Sequence, residues 1–75
     1  MKYVKLRWQP EDTGVEETVF VYGVTDDLLK LLDRAVATAE GDDVLHLRQC
    51  TVQAGEVPRP MIFRARSIRS YEVMG

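Results

Sequence analysis

His46 and Cys50 are the side chains in this sequence whose types could act as base and nucleophile, or share a transition metal. Their spacing argues against both. They lie in a run that begins Val44-Leu45-His46-Leu47-Arg48 and reads as a strand, where residues four apart are separated by about 13 Å. A hydrogen bond needs about 3 Å, and a structural zinc site needs about four ligands at close spacing. With one histidine and one cysteine in the whole chain, the expectation is a half-exposed strand histidine and a small, semi-buried thiol.

The adjacent carboxylates Asp26-Asp27 and Asp42-Asp43 are the other candidates. Neighbouring side chains diverge on a strand or a helix, so such pairs do not converge on one proton. Both pairs flank a helical pattern, which makes them capping and solubilising charges. Gly14, Gly23, Gly41 and Gly55 each stand alone, and no GxGxxG, Walker-type loop, GxSxG or HExxH occurs. The sequence therefore points away from an enzyme, and it implies neither a cofactor nor a metal.

The elements around these residues follow from periodicity. Val4, Leu6 and Trp8 alternate with Tyr3, Lys5 and Arg7, as in a half-buried strand. Gln9 through Gly14 gathers turn residues, and Thr18 through Val24 is β-branched and aromatic, giving a second strand. A turn centred near Asp12 sets Val4 against Phe20, Leu6 against Thr18 and Arg7 against Glu17. Phe20 and Tyr22 then point inward with Val4, Leu6, Trp8, Leu45, Leu47, Met61, Phe63 and Ala65.

Thr25 caps a helix over residues 26–40, whose Leu28, Leu29, Leu31, Leu32, Ala35, Val36 and Ala39 span one arc of roughly 160°. Leu32 lies near the middle of the arc, and Gly41 suits the helix end. A third strand starts at Val44, but Cys50 and Val52 have the opposite parity to Leu45 and Leu47, which requires either a bulge or a twist away from the core. Residues 53–60 form a loop, Met61 through Arg66 a fourth strand, and Ser67-Ile68 a break before a short fifth strand at Tyr71 and Val73. The predicted architecture is a single α+β domain, residues 1–75, in which one amphipathic helix packs on an antiparallel sheet of four to five strands in the order ββαββ.

Charge is unevenly distributed along this pattern. Residues 10–43 hold ten acids against Lys30 and Arg34, whereas residues 44–75 hold five arginines against Glu56 and Glu72, so the formal net charge of −2 conceals a dipolar molecule. On the expected pairing, the face away from the helix shows Tyr3, Lys5, Arg7, Glu17, Val19, Val21, His46, Arg48, Ile62, Arg64 and Arg66. Such a face suits a protein partner, with Val19, Val21 and Ile62 as an apolar centre and Arg7, Arg64 and Arg66 as a rim. A homodimer is the first expectation. The alternative is a nucleic-acid-associated protein contacting phosphates through Lys5, Arg7, Arg48, Arg64 and Arg66. An overall pI near 5.3 opposes it, and Met61-Ile62-Phe63-Arg64-Ala65-Arg66 lacks the paired aromatics and glycine of an RNA-recognition motif. A third possibility is an accessory subunit of an enzyme whose site another chain completes.

With 45% hydrophobic and 29% charged residues the chain has the composition of a folded domain rather than of disorder. One cysteine forms no internal disulfide, and no apolar run approaches the ~18 residues of a membrane span, so a cytoplasmic location is expected.

Overall fold

The computed structural model describes residues 2–37, 43–53 and 55–75. Strand β1 covers Tyr3–Trp8, β2 Glu17–Val21, α1 Asp26–Ala37, β3 Val44–Thr51, β4 Arg59–Arg64 and β5 Ile68–Met74, with a 3-10 turn at Ala65–Ser67 between the last two strands. The strands form one antiparallel sheet in the order β4-β3-β2-β1-β5. This is the small α+β architecture anticipated from periodicity. The fifth strand is longer than expected, running the length of β1 from Ile68 to Met74.

The connection between β4 and β5 sets the shape. In a flat sheet of five strands the two edges lie about 19 Å apart, four spacings of 4.7–4.9 Å. Arg64 and Ile68 are four residues apart and could span at most about 14 Å even if extended; a tight 3-10 turn spans less. The sheet must therefore curl until its edges approach. Trp8 of β1 and Phe63 of β4 accordingly meet across the interior, edge to face, with ring centroids 4.8 Å apart. Backbone bonds fasten the turn to both walls, from Gln9 N–H to the Ser67 carbonyl and from Ala65 N–H to the Asp43 carbonyl, each 2.8 Å.

Inside the curl, Val4, Leu6, Val19, Val21, Leu45, Leu47, Cys50, Phe63 and Ile68 form one core with Leu32 and Ala35 of the helix. The expected cap is present, since Leu28 N–H donates to Thr25 Oγ1 at 3.2 Å. The helix packs against β5 and the 3-10 turn rather than over the middle of the sheet, and the Tyr71 hydroxyl of β5 donates to the Asp33 carboxylate. That bond raises the Tyr71 pKa, since ionisation would remove the proton that the carboxylate accepts; burial and the adjacent negative charge act in the same direction. The predicted end of the helix, residues 38–40, and Gly41 and Asp42 lie outside the described residues.

The parity problem in β3 is resolved by an irregularity between Leu47 and Cys50, which returns Cys50 to the interior. The pairing of β1 with β2 differs from expectation. Val4 faces Val21, Leu6 faces Val19, Lys5 faces Phe20 and Arg7 faces Thr18. This is a slip of one residue, and it turns every β2 side chain to the opposite face. Its cause lies in residues 9–16, which do not fold about Asp12. Gly14 N–H bonds the Pro10 carbonyl at 2.8 Å, Gln9 Nε2 bonds the Gly14 carbonyl at 2.7 Å, and Gly14 takes a φ of 67°, which only glycine adopts without strain. Val19 and Val21 are thus core residues, each 1% exposed, while Phe20 and Tyr22 leave the predicted core for the outer surface.

Candidate interaction surface

The outer face of the β5-β1-β2 layer is built from the residues that alternate with the core. Strand β1 contributes Tyr3, Lys5 and Arg7; register places Phe20 and Thr18 beside the last two on one side, and Met74, Glu72 and Ser70 beside all three on the other. Three rings gather at one end of this face. Tyr3 meets Phe20 edge to face at 6.1 Å between centroids, and Tyr22 in a tilted arrangement at 6.0 Å, within the range where aromatic pairs gain energy beyond simple burial. All three rings are half-buried. Beneath them, Thr51 of β3 pairs with Phe20 and its hydroxyl donates to the Tyr22 hydroxyl at 3.5 Å.

The residues expected to form one interface are divided by the curl. Val19 and Val21 do not belong to any surface. Lys5 and Arg7 lie with the aromatic cluster, and Lys5 stands between Phe20 and Glu72. Ile62, 64% exposed, pairs with His46 on the outer side of β4. Arg64 and Arg66 are drawn to the β1–β2 loop, where Glu11 takes Arg66 Nε at 2.6 Å and Arg64 Nη1 at 3.7 Å. Trp8, Pro10, Ile62 and Arg64 line a cavity of about 280 Å³ at that junction. Arg48 is exposed on β3. Phe20 and Tyr22 are the surface residues that sequence reasoning missed. The available signal was the length of the loop after Trp8, too long for a tight turn to dictate register.

His46 and Cys50 are not brought together. His46 is exposed on the outside of β3, whereas Cys50 is fully buried, its thiol donating to the Leu47 carbonyl at 3.6 Å. Asp26 and Asp27 occupy the first turn of α1, as a capping role requires. Burial pushes the Cys50 thiol up to about 11, so it is protonated and unreactive near neutrality. A thiol-specific disulfide reagent at pH 8 should label Cys50 only at the rate of unfolding; prompt stoichiometric labelling of folded protein would contradict its placement. The unfolded chain releases this proton from about 9, below the folded value. Stability conferred by the neutral thiol should therefore be complete below pH 9 and decline between about 9 and about 11.

Comparison with protein-family models, curated proteins and solved structures found no match. Among the described residues no helix is long and apolar enough to cross a membrane. The molecule is a small α+β domain whose half-buried aromatic cluster sits on the convex side of a curled sheet.

Proposed function

We propose that the protein is a non-enzymatic interaction module that associates with a second copy of itself through the outer face of the β5-β1-β2 layer. The observation that carries this reading is the placement of Tyr3, Phe20 and Tyr22 together outside the core. Aromatic residues, methionine and arginine are the types enriched at protein interfaces, and this face combines three rings with Met74 and Arg7. A chain of 75 residues without a disulfide has a small core, and pairing two such faces adds apolar burial. The reading on nucleic acid has less support. Arg64 and Arg66 are engaged by Glu11, and Lys5 is flanked by Glu72, which leaves few cations near the rings. A reducing compartment such as the cytoplasm fits a single buried thiol.

Light scattering should report twice the 8.6 kDa chain mass at high micromolar concentration. Phe20→Glu should return the monomer with its circular dichroism preserved and its unfolding midpoint lowered only by the lost ring contact with Tyr3, because Phe20 lies outside the core. A wild type that stays monomeric throughout that range overturns the proposal. If that monomer also shifted single-stranded nucleic acid with a steep salt dependence, the face would be a stacking platform instead.

A further inference from the structure

Because α1 leans on β5 and the 3-10 turn, a gap opens on its other side, towards β3. The resulting cavity of about 540 Å³ is lined by Tyr22, Leu28, Leu31, Leu47, His46 and Arg48. Leu31 is 44% exposed there although it belongs to the apolar arc of the helix. Asp27 marks the helix side of the mouth and Arg48 the strand side. The loop between β3 and β4 has the opposite character. Its Val57 is 86% exposed, and Pro58 after it biases Val57 towards an extended backbone. Glu56 precedes this apolar knob.

We infer that the Glu56-Val57-Pro58 segment of one copy inserts into the α1–β3 groove of a second copy, with Val57 against Leu28, Leu31 and Leu47 and Glu56 against Arg48. This rests on the self-association proposed above and specifies what the second copy brings. The layout of β3 supplies the geometry. His46 and Arg48 lie at the groove, Thr51 follows beside Phe20 under the aromatic cluster, and the loop begins directly afterwards. A twofold axis that passes through the cluster and runs across β3 reverses the direction of that strand, and so carries each loop towards the partner's groove; this orientation is part of the arrangement inferred. Tyr22 belongs to both the cluster and the groove wall, which makes the two surfaces continuous. Opposite charge at Glu56 and Arg48 fixes the direction of insertion and disfavours an arrangement that sets Glu56 against Asp27.

The test is a charge exchange read by dimer dissociation in sedimentation equilibrium, with circular dichroism as the check on folding. Glu56→Arg and Arg48→Glu should each weaken the dimer about tenfold, and the double variant should recover most of that loss, the signature of a direct pair. Val57→Ser should weaken it by a similar factor or more. If Phe20→Glu abolishes the dimer while Val57→Ser and both charge variants leave it unchanged, the insertion is wrong and the outer-face association stands. Single losses without recovery in the double variant overturn the Glu56–Arg48 pairing. A monomeric wild type overturns both proposals.

Discussion

Val21→Glu is expected to unfold the protein. Val21 is 1% exposed and faces Val4 across the β1–β2 ladder, so a glutamate there would bury a carboxylate without a partner. Removing the partner of a buried charge costs about 3–5 kcal/mol, and an apolar cavity wall offers no better terms. A domain of 75 residues has on the order of 4–11 kcal/mol in total. Loss of the cooperative thermal transition in circular dichroism is the expected result. The neighbouring Phe20→Glu, on the opposite face, should leave that transition in place. The two variants together test the register. A folded Val21→Glu protein beside an unfolded Phe20→Glu protein would mean that β2 pairs one residue out of step with the Val4–Val21 register.

Phe63→Ala should cost about 3–5 kcal/mol, the usual range for emptying an aromatic site in a core. Phe63 is 1% exposed, and its ring closes the seam between β4 and β1 by packing on Trp8. The cost therefore falls on the contact that holds two walls of the curl together as well as on the cavity left behind. Trp8 is the chain's sole tryptophan, so its fluorescence reports directly on that seam. Denaturant titration should show a lower midpoint and a native emission shifted to the red. A loss below about 1 kcal/mol would mean that the seam is not where stability resides.

Local patterns were legible where neighbours in sequence determine the outcome. Thr25 and the leucines behind it announce α1, and the broken alternation at Ser67-Ile68 marks the end of the 3-10 turn. The parity conflict at Cys50 showed that β3 needs an irregularity, although only the structure distinguishes a bulge from a twist. The β1–β2 register was misread because it depends on hydrogen bonds inside the loop, from Gln9 to Gly14 and from Gly14 to Pro10, which residue types do not specify. One slipped residue exchanged Val19 and Val21 for Phe20 and Tyr22, and with them the composition of the candidate surface. The pairing of Glu11 with Arg64 and Arg66 was hidden for a different reason. It joins segments more than fifty positions apart that meet only because the sheet curls.

The pairing of Tyr3 with Met74 has a mechanical consequence. The chain enters and leaves the fold at adjacent points on neighbouring antiparallel strands, so tension applied there loads the β1–β5 hydrogen bonds one pair at a time, as in opening a zipper. Bonds loaded in sequence give way at less force than the same bonds loaded together in shear. The same proximity lets a short linker join the two points, so that new ends can be opened at an exposed loop, the condition under which circular permutation is tolerated.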